Sequence, residues 1–169
     1  ASIMSKKMAE GISGLVSDVK VGSGAFMKSE DDARSLAQVL IDIAHGMGKR
    51  ASALLTDMNQ PLGRAVGNSL EVIESFEALK GNGPPDFIDL CRELAAEMLL
   101  MGGAASDIDR GKLLYNELIE SGRALEKMRD IVEAQSGDPR VIDDYRLLPT
   151  AAHEHPVLAS QAGYVQTID

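Results

Sequence analysis

The chain has 169 residues, a formal net charge of −9 and one cysteine, Cys91. This length suits one domain with a core of ordinary size, and the acidic balance argues against binding nucleic acid through its phosphates. The lone cysteine excludes an internal disulfide and indicates a reducing compartment. Because no apolar run approaches the roughly 20 residues of a membrane span and no signal peptide is recognisable, we expect a cytoplasmic protein without a membrane partner.

Helix and strand patterns alternate in the first half of the chain. Residues 1–11 have a helical pattern, and the Val-rich segment 15–21 predicts a strand that runs into a glycine-rich turn. An apolar stripe with 3.6-residue spacing predicts a helix over 31–47, capped by Ser29 or Asp31, and residues 52–57 predict a second strand. A strand–helix–strand unit of this size normally forms a right-handed parallel crossover. We therefore predict an α/β fold with a partial parallel or mixed sheet and flanking helices.

The second half of the sequence is predicted to be helical until residue 149. Glycine and proline residues separate helical patterns over 68–80, 86–101, 106–121 and 122–135, with Asn68 as the N-cap of the first. Beyond residue 149 the sequence has a loop-like and β-like pattern. Residues 163–169 alternate like a strand that has only begun.

Both ends of the sequence indicate that the chain is an internal part of a longer polypeptide. It opens inside a helical pattern and closes inside a strand pattern.

Two segments have residues suited to binding a ligand. Ser2 and Lys6 stand four apart, so a helix places a hydroxyl and an ammonium group on one face. A serine and a lysine with this spacing are usually two solvated side chains on the surface of a helix. The predicted strand 15–21 ends in Gly22, Ser23 and Gly24, and an open α/β sheet usually places its ligand at such a turn. Phe26, which follows the turn, has two equal interpretations, as part of a ligand pocket or as a core side chain.

Three motifs together resemble the pyrimidine nucleoside phosphorylase and thymidine phosphorylase family. They are ASIMSKKMAEG at residues 1–11, DVKVGSGAF at 18–26 and LLTDMNQPLGRAVGN at 54–68. The resemblance implies that Ser2 and Lys6 hydrogen-bond the pyrimidine ring and that Phe26 lines the base pocket. It also implies a catalytic role for Lys6, since an ammonium group near a base carbonyl stabilises the negative charge that grows as the base departs.

The third motif and the helix after it carry the expectation of a cation site. Loop carbonyls with one carboxylate form a hard-oxygen site for a weakly held cation. The resemblance implies a potassium ion bound by the backbone carbonyls of Leu62 and Ala65 and by the side chain of Glu74, with no organic cofactor. From the sequence alone, Glu74 would be assigned as a solvated helix residue, and Asp57, at the end of the second strand, receives no role.

The resemblance implies phosphorolysis of pyrimidine nucleosides to the free base and ribose or deoxyribose 1-phosphate by a homodimeric parent enzyme. It also implies that residues 1–12 end a helical-domain segment carrying the base-binding helix, that residues 13–150 form an α/β domain, and that residues 151–169 begin a truncated β-rich region. The family's phosphate-binding loop and a base-contacting arginine precede the matching segment, so we expect this chain alone to be inactive. Two alternatives stay open. One is a relative of the anthranilate-type phosphoribosyltransferases, although the glycine-rich phosphate and magnesium motif is not found. The other is a non-catalytic α/β interaction module that binds a partner through its Met-rich helices.

Overall fold

A computed structural model describes residues 2–166, without the side chain of Ser2. The described chain contains two strands and six α-helices, followed by two short 3₁₀ turns. In chain order the elements are α1 (Ser2–Ala9), β1 (Gly14–Val21), α2 (Glu30–Gly46), β2 (Arg50–Asp57), α3 (Asn68–Leu79), α4 (Pro85–Met101), α5 (Ile108–Glu120), α6 (Arg123–Ala134), and the turns Pro139–Ile142 and Tyr145–Leu147.

The two strands form a parallel sheet, which confirms the predicted α/β fold class. Gly14 pairs with Arg50 at one end of the ladder and Val21 pairs with Asp57 at the other. The pairing is in register over all eight residues of each strand. Both strands therefore end at the same edge of the sheet, and the segments that follow them emerge side by side.

Helix α2 covers one face of the sheet. Val19 is buried there against Ala33 and Ala37, with Leu36 and Leu55 packed around them. The small alanine side chains allow the helix to approach the strands closely, and burying the apolar stripe holds α2 in place. The Ser29 Oγ accepts a hydrogen bond from Asp32 N. Of the two predicted caps, Ser29 is therefore the N-cap and Asp31 is not.

A polar group lies on the other face of β1. Lys20 Nζ is 2.8 Å from Asp18 Oδ2, and the two side chains are 29% and 26% exposed. The Thr56 hydroxyl donates a hydrogen bond to Asp18 Oδ1 from the neighbouring strand. The pair is half-buried and tied to both strands, which indicates a structural role.

The N-cap of α3 differs from the prediction. Asn68 is the first residue of the helix, and Gly67 is its N-cap. Gly67 has a φ of 125°, a region that favours glycine, and its N–H donates to Glu71 Oε1 at 2.9 Å. The Glu71 carboxylate thus satisfies the N–H group of the N-cap residue itself, and α3 has no side-chain N-cap hydrogen bond of the kind predicted for Asn68.

After α6 the chain returns to α3. The Tyr145 ring stacks on Phe76 with centroids 6.4 Å apart, and Lys80 Nζ donates to Ile142 O at 2.8 Å. Residues 151–166 are in neither helix nor strand, so the strand predicted from residue 163 is not seen over 163–166, and residues 167–169 lie outside the described part. None of the described helices is long and apolar enough to span a membrane.

Candidate functional site

The segments that follow the two strands meet at one edge of the sheet. The turn 22–24 after β1 packs on the start of the loop after β2, residues 58–67, which we call the β2 loop. Gly24 N donates to Met58 O at 2.9 Å, and Ser23 N donates to Asn59 Oδ1 at 3.0 Å. A cavity of about 470 Å³ opens beside this contact. The carboxyl edge of a parallel sheet is where ligands bind in open α/β folds.

Glycine is required where the turn meets the β2 loop. Gly22 has a φ of 133°, and a Cβ atom there would lie 2.8 Å from Asn59 N. The tight turn predicted from the sequence is confirmed, and its close neighbour is the backbone of the loop. Asp57 contributes as well, since its Oδ1 accepts a hydrogen bond from Asn59 N at 3.1 Å. Its role in the structure is to hold the first residues of the loop.

Glu74 reaches from α3 into the bend of the β2 loop. Its Oε1 accepts hydrogen bonds from Arg64 N at 2.9 Å and from Ala65 N at 3.1 Å. Gly63, with a φ of 71°, brings the backbone so close that a Cβ atom would lie 2.2 Å from Glu74 Oε2. Glu74 is therefore a half-buried structural partner of the loop and not the solvated helix residue that the sequence alone suggests.

The three residues expected to bind a cation lie together. Leu62, Ala65 and Glu74 all line the 470 Å³ cavity, although Glu74 is on a helix and the other two are in the loop. Across residues 3–166 no hydrogen-bond donor contacts Glu74 Oε2, so this oxygen is available to a cation. Two neutral carbonyls with one carboxylate fit a weakly held monovalent ion. Within the described chain, no three His, Cys, Asp or Glu side chains come together as a site for a more tightly bound metal.

A second carboxylate, on helix α4, also holds the β2 loop. Asp86, in the first turn of α4, accepts a hydrogen bond from Gly63 N at 2.9 Å through its Oδ2. This backbone hydrogen bond is the main cause that lowers the pKa of Asp86 below its usual value. No sequence pattern predicted this contact, because an acidic residue in the first helical turn is usually explained by the helix dipole.

The residues expected to bind a pyrimidine base lie away from this cavity. Lys6 is exposed on α1, and the backbone of Ser2 begins the same helix. Phe26 is 92% exposed, so it is not a core side chain. Together with Ile3 and Lys7 it lines a shallow groove along β1. The structure thus assembles the predicted cation residues and leaves Lys6 and Phe26 outside the cavity that those residues line.

The chain is similar in sequence to known proteins. Residues 1–125 match the family described as "Glycosyl transferase family, a/b domain", and the chain belongs to that family. The chain is 43% identical over 168 residues to the pyrimidine-nucleoside phosphorylase of Bacillus subtilis (strain 168), covering 99% of this chain and 39% of the relative. It is 42% identical over 168 residues to the protein of that name from Staphylococcus haemolyticus (strain JCSC1435), with the same coverage of 99% and 39%. The identity to that of Staphylococcus aureus (strain USA300) is 44% over 165 residues, covering 98% of this chain and 38% of the relative.

These relatives confirm the resemblance that the three motifs indicated. The chain spans about 39% of the length of the Bacillus subtilis relative. The family assignment therefore holds for the segment, and the activity of a whole protein is an inference from it.

Proposed function

We propose that the full-length protein carrying this chain cleaves pyrimidine nucleosides with phosphate, releasing the free base and ribose or deoxyribose 1-phosphate. The observation that carries the proposal is the 43% identity over 168 residues to the Bacillus subtilis pyrimidine-nucleoside phosphorylase. The cavity at the carboxyl edge of the sheet supports it, because Leu62, Ala65 and Glu74 line it together.

In this reaction a phosphate oxygen forms a bond to the anomeric carbon of the sugar, and the bond from that carbon to the base nitrogen breaks. The electron pair of the broken bond leaves with the base. Lys6 is proposed to stabilise this growing negative charge at a base carbonyl, and Ser2 to hydrogen-bond the ring. Helix α1 runs from Ser2 to Ala9, so the two residues are one turn apart on it. Phe26 is proposed to contact the base through its exposed ring.

Potassium is the cation that we propose for the β2 loop. Leu62 and Ala65 would hold it with their carbonyl oxygens and Glu74 with its free Oε2. When bound, the ion would supply a positive charge that ties this loop to the phosphate-binding part of the enzyme. Glu74 has a second task, since its Oε1 holds the N–H groups of Arg64 and Ala65. The proposed reaction needs no organic cofactor, because phosphate is the nucleophile and the base is the leaving group.

The proposed partners are a pyrimidine nucleoside and inorganic phosphate, with most of the phosphate site outside this chain. We infer a homodimeric enzyme in the cytoplasm, with neither nucleic acid nor membrane as a partner. The net charge of −9 supports the exclusion of nucleic acid. Sedimentation equilibrium of the full-length protein tests the dimer, and a mass that equals one polypeptide would contradict it.

The activity is tested by incubating the full-length protein with thymidine or uridine, with and without phosphate. Chromatography should detect free thymine or uracil and the matching sugar 1-phosphate only when phosphate is present. Release of base without phosphate, or no release from either nucleoside, would contradict the proposal. No release combined with capture of a protein partner would instead favour the interaction module.

A further inference from the structure

The peptide unit that joins Leu62 to Gly63 links the proposed cation site to a residue outside it. Its N–H group, on Gly63, donates to Asp86 Oδ2 at 2.9 Å. Its C=O group, on Leu62, is the group proposed to bind the cation. The described chain contains no cis peptide bond, and a trans peptide unit is planar with N–H and C=O pointing in opposite directions. A partner that fixes the N–H therefore also fixes the direction of the carbonyl.

Asp86 does not line the proposed cation cavity, whereas Leu62 and Glu74 do. It lines a smaller neighbouring cavity, which Leu62 also borders. Because Asp86 binds the N–H side of the peptide unit, it can influence the cation through the direction of the Leu62 carbonyl and through its charge.

The bend at Gly63 is held between two helices. Asp86 on α4 accepts a hydrogen bond from Gly63 N. Glu74 on α3 accepts hydrogen bonds from the next two backbone N–H groups, those of Arg64 and Ala65, at 2.9 and 3.1 Å. Three consecutive loop amides thus bind carboxylates from two separate elements. The entropic cost of closing such a loop is modest, so an exposed loop can close without three charge-assisted hydrogen bonds. The arrangement instead gives the carbonyls of the bend defined directions.

We propose that Asp86 is a positioning residue that aims the Leu62 carbonyl into the cation cavity. This inference rests on the proposed potassium site. Asp86 acts like the outer partners of metal ligands, whose removal typically weakens metal binding by about 10- to 100-fold.

The test uses the full-length enzyme with the substitution Asp86→Asn, which keeps an acceptor oxygen but removes the charge. The matched control is Asp89→Asn, which lies on the same helix and pairs with Arg92 at 2.7 Å on the surface. We expect the potassium concentration for half-maximal activity to rise by about tenfold in Asp86→Asn, with turnover at saturating potassium within about twofold of wild type. Asp89→Asn should match wild type in both.

A second readout does not depend on activity. Hydrogen exchange of a peptide that spans residues 60–66 should be faster in Asp86→Asn than in Asp89→Asn, because the Gly63 amide loses its charged partner. The variant Asp86→Glu retains the charge and should show a smaller shift of the potassium requirement in the same direction. Together the two variants keep the test valid if one of them folds poorly.

The outcomes separate this inference from the potassium site on which it rests. If the wild-type enzyme neither binds nor responds to potassium, the proposed site is wrong and Asp86 has no such role. If wild type responds and Glu74→Gln weakens the response, while Asp86→Asn responds as wild type does, the site stands and this inference is overturned. Faster exchange with an unchanged potassium requirement would also overturn it, since Asp86 would then be only structural.

Discussion

The β2 loop and helix α1 carry the two halves of the proposed site, and this chain organises them to different degrees. The loop is held by Glu74 and Asp86 from two helices and by Asn59, which joins it to the turn after β1. Helix α1 buries Met4, but its Lys6 is exposed and makes no side-chain hydrogen bond to any residue that the structure describes. The cation half is therefore preorganised within the segment, whereas the base half presents its functional group to solvent.

The largest effect that this comparison predicts is complete loss of activity in the isolated chain. Purified residues 1–169 should release no base from thymidine or uridine in phosphate buffer, because most of the phosphate site is proposed to lie outside them and the loop alone cannot position the nucleophile. The full-length protein serves as the positive control. Phosphate-dependent release of base by the isolated chain would mean that the phosphate site lies within it.

In the full-length enzyme, Lys6→Ala should lower turnover by about 10²- to 10³-fold, the usual cost of removing a group that stabilises transition-state charge. The phosphate KM should change little, since Lys6 is proposed to contact the departing base. Steady-state kinetics with varied phosphate measure both values.

The matched control for Lys6 is its neighbour. Lys7→Ala removes a lysine of the same helix whose Nζ is 2.9 Å from Glu10 Oε2, just beyond the helix end, and it should retain turnover near that of wild type. Equal losses in the two variants would show that α1 contributes only net charge or stability.

The change Glu74→Gln should raise the potassium requirement by about 10- to 100-fold and weaken phosphate binding. The glutamine keeps an oxygen to accept the loop N–H groups but offers the cation no charge. Glu133→Gln, at an exposed position of α6, is the control. A potassium response like that of wild type in Glu74→Gln would refute the site.

The smallest predicted effect concerns the bend of the loop. Gly63→Ala and Gly81→Ala both place a side chain at a positive φ, 71° and 87°, so both incur backbone strain. Only Gly63 also has a close neighbour, Glu74 Oε2, whereas the space at Gly81 is open. Gly63→Ala should therefore destabilise the protein by about 1–3 kcal/mol more than Gly81→Ala. Thermal or urea unfolding of the two variants measures the difference, and equal stabilities would show that the bend tolerates a side chain.

Local patterns in the sequence were sufficient for much of the fold. The helical stripe of α2 and the Val-rich pattern of β1 predicted each end of these two elements to within one residue. The parallel pairing followed from the helix between the strands. The predicted start of helix α3 at residue 68 agrees with the structure, but its N-cap was wrong, because Gly67, at a φ of 125°, occupies the position assigned to Asn68.

The candidate site was predicted less completely, and the reason is sequence separation. Motif resemblance identified Leu62, Ala65 and Glu74, which the structure brings to one cavity. Asp86 was missed because its partner, Gly63, is 23 residues away. Nothing in a helical pattern tells which distant backbone amide a first-turn carboxylate will bind. The exposure of Phe26 could likewise not be predicted from the sequence, since an aromatic side chain after a strand can lie in a ligand pocket or in the core.

The central claim is that the β2 loop forms a monovalent-cation site within a pyrimidine nucleoside phosphorylase. It is tested most directly by measuring the initial rate of phosphate-dependent thymine or uracil release while potassium replaces choline at constant ionic strength. The rate should rise and saturate with potassium in the wild-type enzyme, and Glu74→Gln should need a higher concentration to reach the same fraction of its maximum. A rate that is independent of potassium in the wild-type enzyme would contradict the claim.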